Sequence, residues 1–84
     1  MENNKLWLVN LGFLVDVDHD NCWRLELSRR SVLLVYLPKN EYGRYTVYHT
    51  HSGDYRDWND RLVSDDFTEV KGFISLHIQR NPKY

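Results

Sequence analysis

The apolar residues nearest the N-terminus are spaced as in a short helix. They form the run LWLVNL at residues 6–11, and asparagines at positions 3 and 4 can cap the start of a helix. Gly12 follows the run and is itself followed by an apolar residue, a typical way for a helix to stop. The pattern predicts a helix over about residues 4–11.

From Phe13 the apolar residues recur at every second position. This alternation runs to Val17 and returns in WRLEL at residues 23–27, and a period of two is the signature of a strand. Aspartates and an asparagine separate the two runs, and these residues favour turns. The segment therefore predicts a hairpin with its turn around Asp18 to Asn21.

Two further strands follow. VLLVYL at residues 32–37 is a continuous apolar run, which favours a central strand. The segment PKNEYGR has the proline, asparagine and glycine of a chain reversal, and YTVYHTH at residues 45–51 alternates again. These segments predict four strands that pair in chain order.

Residues 52–66 show no strand pattern and are interpreted as a linker. Within it, Tyr55, Trp58 and Leu62 are spaced so that they would share one side of a short helix. We therefore expect a loop here, or a loop with one helical turn or two.

The last segment fits two patterns. Residues 67–80 carry an apolar stripe at helical spacing, Asp66 and Glu69 have the spacing of a capping box, and an Asn-Pro pair follows as a stop. Residues 73–79 also alternate, so a fifth strand is the alternative. We predict a helix over residues 67–80.

Together these elements predict an α+β fold: a four-stranded antiparallel meander, with a short N-terminal helix and a C-terminal helix packed on one face. Residues 1–84 are interpreted as a single domain, too short for the two-lobed cleft of most enzymes. A chain that is 42% hydrophobic and 14% aromatic is typical of a folded globule. A compact binding module is the expected class.

The composition bears on the cellular compartment of the protein and on whether it binds membranes or nucleic acid. The lone cysteine, Cys22, cannot form an internal disulfide, which favours a reducing compartment, and we expect an inert thiol in a cytoplasmic protein. The apolar run at residues 6–15 is broken by Asn10 and Gly12 and is too short to span a membrane. A net charge of −1 argues against strong non-specific binding of nucleic acid.

Two histidines on the fourth strand are the first candidate for chemistry. His49 and His51 are one residue apart, so their side chains point to the same side of a strand, and Asp54 or Asp57 could add an oxygen ligand. A zinc site usually needs three protein ligands with supporting hydrogen bonds. We expect no metal or other cofactor, and keep a metal-dependent enzyme centred on His49 and His51 as an alternative.

Basic residues on the second to fourth strands and their turns are the second candidate. With tyrosines nearby they could bind phosphates and stack bases, which makes a small nucleic-acid-binding or regulatory protein another alternative. The residues concerned are Arg24, Arg29, Arg30, Lys39 and Arg44, with Tyr36, Tyr42 and Tyr45.

Aromatic and acidic residues in and after the fourth strand are the third candidate. Tyrosine, tryptophan and arginine are enriched at interface hot spots, and acidic groups can steer a basic partner. The predicted partner-binding residues are Tyr48, Asp54, Tyr55, Asp57, Trp58 and Asp60. The alternative is that Tyr55 and Trp58 close the core.

With no catalytic constellation in the sequence, we expect a non-enzymatic protein-binding module. The helix ending in LGF, the strand WRLEL and the strand YTVY are together similar to short phage and mobile-element proteins. That resemblance implies an inhibitor of a host defence complex, anti-CRISPR-like, that acts by steric occlusion. The expected partner is a host protein or complex, and an exposed sheet edge would also allow a homodimer.

Overall fold

The computed structural model describes residues 2–16, 21–28, 31–38, 43–51 and 58–80. This part of the chain forms two helices and five strands, which confirms the α+β class and corrects the predicted strand number from four to five. The elements are α1 (Glu2–Leu11), β1 (Leu14–Val15), β2 (Cys22–Glu26), β3 (Val32–Tyr36), β4 (Tyr45–Thr50), β5 (Trp58–Ser64) and α2 (Phe67–Arg80).

The five strands pair antiparallel in chain order, β1-β2-β3-β4-β5, so the meander is confirmed and β1 and β5 are its edges. Residues directly opposite each other in such a sheet share a face, and the register therefore assigns each paired residue of β2 to β5 to one of two faces. The covered face, against which both helices pack, carries Trp23, Leu25, Leu33, Val35, Tyr45, Val47, His49, Asp60, Leu62 and Ser64. The opposite or open face carries Cys22, Arg24, Glu26, Val32, Leu34, Tyr36, Thr46, Tyr48, Thr50, Trp58, Arg61 and Val63.

The main core lies between the covered face and the two helices. Leu8 of α1 and Val70 and Ile74 of α2 are fully buried against Leu33 and Val47 of the central strands. Each buried aliphatic side chain of this size stabilises the fold by about 1.5–3 kcal/mol relative to leaving it in water. This layer fixes where α2 lies over β4 and β5.

Helix α1 ends as its sequence predicts, but it begins at Glu2 and not at about residue 4, so Asn3 and Asn4 lie within the helix and do not cap it. Gly12 has a φ of 109°, a conformation that suits glycine. Its N–H donates to the Val9 carbonyl at 2.9 Å, and the N–H of Phe13 donates to the Leu8 carbonyl at 3.0 Å. This pair of bonds is a Schellman motif, and the burial of both Leu8 and Phe13 supplies its apolar contact.

Helix α2 begins at a cap on Asp66. The Asp66 carboxylate accepts a hydrogen bond from the N–H of Thr68 at 2.9 Å, and the N–H of Asp66 donates to Ser64 Oγ at 3.0 Å. Ser64 thus accepts the hydrogen bond from the Asp66 N–H that the side chain of Glu69 would accept in a capping box. The predicted helix over residues 67–80 is confirmed, and the alternative of a strand there is wrong.

Strand β5 is the element that the sequence analysis missed. The segment that was interpreted as linker or short helix contains the seven-residue strand Trp58–Ser64. Its ladder is irregular, because Asp60 lies opposite His49 and Trp58 opposite Thr50, which leaves Asn59 as an extra residue. The extra residue and the mostly exposed side chains remove the alternation by which a strand is recognised.

The first predicted strand is shorter than expected. It was placed from Phe13 to Val17, whereas β1 contains only Leu14 and Val15. The Phe13 N–H is used by the end of α1, and Val17 lies outside the described residues. At the predicted turn, Asn21 has a φ of 55°, which asparagine tolerates well.

Candidate functional site

The register of β4 and β5 brings three interface-type residues together on the open face. Tyr48 lies opposite Arg61, and Trp58 lies opposite Thr50, two pairs further along and on the same face. The ring centroids of Tyr48 and Trp58 are 6.4 Å apart, and the Arg61 guanidinium carbon lies 5.3 Å from the Trp58 ring centroid. A guanidinium over an indole face at this distance is a cation–π contact.

Trp58 is the exposed member of this group. Its side chain is 46% exposed although its ring is held from one side by Arg61 and approached from another by Tyr48. Tyr48 is half-buried and packs over Cys22, Val32 and Leu34. The result is a pair of neighbouring aromatic rings with a positive charge over the indole ring. We call Tyr48, Trp58 and Arg61 the aromatic platform.

The predicted partner-binding patch is therefore divided. Tyr48 and Trp58 share the open face, but Asp60 points to the covered face, where its carboxylate oxygen lies 3.2 Å from His77 Nε2. Asp54, Tyr55 and Asp57 lie outside the described residues. Arg61 was not among the predicted binding residues, because its stacking on Trp58 depends on strand β5, where the sequence pattern indicated a linker.

The predicted basic face is also divided. Arg24 and Tyr36 are on the open face, and Arg24 pairs with Glu26 at 3.4 Å. Tyr45 is buried on the covered face, 5.1 Å from the Phe67 ring, so it cannot stack a base. Arg44 is exposed just before β4. The remaining members, Arg29, Arg30, Lys39 and Tyr42, lie outside the described residues.

A second cluster lies at the end of the covered face, where β4 ends and α2 finishes. The ring centroids of His49 and His77 are 4.6 Å apart, and those of His49 and His51 are 5.3 Å apart. His49 Nε2 lies 2.6 Å from Ser31 Oγ, and both residues are buried. Ser31 and His49, His49 and His77, and His77 and Asp60 are thus linked in turn by a polar contact, a ring contact and a polar contact. We call these four residues the histidine cluster.

The contact of His77 with a backbone carbonyl shows which of its ring nitrogens carries a proton. The Phe73 carbonyl, 2.9 Å from His77 Nδ1, can only accept, so Nδ1 donates. The other nitrogen, Nε2, faces the Asp60 carboxylate at 3.2 Å and forms an ion pair with it when the ring carries its second proton. Because His77 is on the buried stripe of α2, this contact joins α2 to β5.

The electrostatics around His49 favour its neutral form. Burial lowers the pKa of His49 most, His77 and His51 lower it further, and Asp60 acts in the opposite direction. A neutral imidazole needs one donor and one acceptor contact, and Ser31 Oγ can supply either. The sequence offered one signal for this arrangement, a histidine at position 77 within the apolar stripe of the last helix.

The contact between Ser31 and His49 has the length of a nucleophile–base pair. Ser31 is only 2% exposed, however, and its backbone closes the turn between β2 and β3 through bonds from Leu27 and Ser28. A substrate could not reach its hydroxyl in this arrangement. Within the described residues, no three His, Cys, Asp or Glu side chains are placed to hold a metal ion, and Asp54 and Asp57, the expected oxygen ligands, lie outside them.

Cys22 is buried beneath the open face. Burial raises the pKa of its thiol to about 11, with a smaller opposing effect of a hydrogen bond to Tyr36. Only the thiolate is an effective nucleophile, so this environment keeps the thiol unreactive. Burial also raises the pKa of the neighbouring Tyr36.

No protein-family model, curated protein or solved structure matches this chain. In the described part of the chain, neither helix has the length and apolar character needed to cross a membrane.

Proposed function

We propose that this protein is a non-enzymatic protein-binding module that grips its partner with the open face, centred on the aromatic platform. The observation that carries the proposal is the state of Trp58: a large aromatic ring, nearly half exposed, stacked under Arg61 and beside Tyr48. Tryptophan, tyrosine and arginine are the three residue types most enriched at binding hot spots.

The geometry of the platform favours tight contact. A side chain that is already held in place loses less conformational freedom on binding than a free one, and Trp58 has contacts on two sides. The platform is also supported from below, because Tyr48 packs on a layer of fully buried residues that includes Leu34. A partner would therefore meet a rigid surface.

The finer part of the proposal concerns the partner. The resemblance of the sequence to short phage and mobile-element proteins supports an inhibitor that acts in the cytoplasm and covers a surface of a host defence complex. Such an inhibitor needs no catalytic residue, since occupation of the surface is sufficient. In this proposal Trp58 inserts at the centre of the interface and Arg61 meets an acidic or carbonyl group of the partner.

The test is a binding comparison with matched variants. Wild-type protein is used to capture and identify a partner, and the affinity of the purified pair is then measured for Trp58→Ala, Arg61→Ala and Leu76→Ala. Leu76 is 43% exposed on α2, on the other side of the molecule, so its variant controls for loss of exposed apolar surface. We expect Trp58→Ala to cost at least about 2 kcal/mol of binding free energy and Leu76→Ala to cost little. Equal effects of the two substitutions would refute the proposed site.

A second candidate is binding of a single-stranded nucleic acid, favoured by one observation. Arg24, Tyr48 and Arg61 lie in one row across the open face, and a sheet face with aromatic rings between basic groups is how several folds bind bases. Anisotropy of a labelled oligonucleotide, measured over a range of salt, separates the two candidates. Phosphate binding weakens steeply with salt, whereas an aromatic-centred protein interface changes much less.

A further inference from the structure

The N-terminal edge of the sheet carries a concentrated apolar surface. Leu6, Val9 and Leu11 of α1 are all at least 40% exposed, and Leu14 and Val15 of β1 are 73% and 59% exposed. Across residues 3–15 the only charged residue is Lys5. Exposed apolar side chains concentrated in one stretch of the chain are a sign of an interaction surface.

The hydrogen-bond pattern of β1 shows which of its backbone groups face outward. The Asp16 N–H donates to the Cys22 carbonyl at 2.9 Å. Bonding alternates along an antiparallel pair, so Leu14, opposite Arg24, also faces β2, while Val15, opposite Trp23, points its N–H and carbonyl away from the sheet. No other described strand pairs with this side of β1, so within the described residues Val15 offers one donor and one acceptor at the edge.

The other edge of the sheet is protected against pairing. Strand β5 has an extra residue at Asn59, and it carries the charges of Asp60 and Arg61. The N–H of Arg61 is already bonded to the Asp60 carboxylate at 3.0 Å. Bulges, charges, capped backbone groups and very short edge strands are means by which proteins block edge-to-edge pairing. Of these, β1 has only its shortness, since it is two residues long and has no charged residue within it.

We infer that β1 is a self-association edge, and that two copies of this chain pair through it about a two-fold axis at Val15. An antiparallel pair centred on Val15 satisfies the N–H and carbonyl of each copy reciprocally. A second copy is the occupant that the surface fits best. Leu14 and Val15 carry no charge, so the two copies of β1 would meet without charge repulsion. The groove beside the strand is lined by Gly12, Leu14, Val15, Arg24, Leu25 and Glu26, and the two charged residues among them already pair with each other at 3.4 Å.

This pairing has a structural consequence. Antiparallel neighbours keep their faces in common, so the two sheets would join into one, with the helices of both copies on one side and both open faces on the other. A dimer would therefore present two aromatic platforms in the same direction. Two linked sites raise the avidity for a partner that offers two binding surfaces.

The first test measures mass by sedimentation equilibrium over a wide range of concentration. We expect the wild type to form dimers, and Val15→Lys to raise the dimer dissociation constant by about a hundredfold or more, because two lysines would face each other across the axis. Val63→Lys is the matched control, since Val63 is a comparably exposed valine on the opposite edge strand. A wild type that stays monomeric, or dimers lost with Val63→Lys but kept with Val15→Lys, would overturn the inference.

The second test determines the register of the proposed β1–β1 pair, and it does not require the protein to tolerate a new charged residue. In the proposed pair the two Val15 Cα atoms are about 5.5 Å apart, within the range of about 4.4–6.8 Å that a disulfide bridges. Val15→Cys should form a disulfide-linked dimer much faster than Val63→Cys, and buried Cys22 should not contribute. Equal rates for the two variants would show that Val15 does not lie at the axis.

Discussion

The two faces of the sheet bury their side chains in different ways. Leu33 and Leu34 are neighbours on β3 and both are fully buried, yet Leu33 lies under the helices and Leu34 lies under the rings of Tyr36 and Tyr48 on the open face. On the covered face a second layer of backbone excludes water. On the open face, among the described residues, the tyrosine side chains cover the buried layer, and the outer surface of their rings is where a partner would bind.

The largest expected effect is on the free energy of unfolding, and it should differ between core substitutions on the two faces. Leu33→Ala should destabilise the protein by about 3–5 kcal/mol, because helices fixed at many points cannot collapse into the cavity. Leu34→Ala should cost less, about 2–3 kcal/mol, because the tyrosine rings above it can move inward. Urea unfolding of the two variants measures the difference. An equal cost, or a larger one for Leu34, would mean that the open face is as rigidly covered as the other.

The polar end of the covered face should give the next largest effect. Ser31→Ala removes the only hydrogen-bond partner that the described residues give His49, and a buried polar group left without a partner costs about 1–3 kcal/mol. Ser75→Ala, at an exposed serine on α2, is the matched control and should change stability by less than about 0.5 kcal/mol. Similar unfolding curves for the two variants would show that Ser31 contributes no net stability.

Much of the covered face could be predicted from the sequence. The helix ends follow from Gly12 and Asp66, and the central strands from the apolar run at residues 32–37, because local signals suffice where the chain is fully buried. Where these predictions differ from the structure, the element is present but its bounds are different, as for β1.

The parts that could not be predicted depend on pairing between distant segments. Strand β5 is an exposed edge with an extra residue at Asn59, so its pattern is weak. That same residue decides that Asp60 faces His77 and Trp58 faces the open side, and a shift of one residue moves a side chain to the other face. The pairing of Ser31 with His49 likewise follows from the register of β3 and β4 and not from local sequence.

The smallest expected effect is a dependence of stability on pH, and it should come from the covered face, where His49 is buried. The pKa of His49 is lowered in the folded protein, so below its ordinary value of about 6.5 the unfolded chain binds a proton that the folded one resists. Stability from this residue is therefore complete above about pH 6.5 and is lost as the pH falls, with a slope of at most about 1.4 kcal/mol per pH unit. This contribution is measured by comparing the free energy of unfolding in urea at about pH 7.5 and about pH 5.5 for the wild type and for His49→Gln. The variant should lose less stability between the two pH values than the wild type does. An equal loss would assign the pH dependence to other groups. A larger loss in the variant would mean that the attraction of Asp60 outweighs burial and stabilises charged His49.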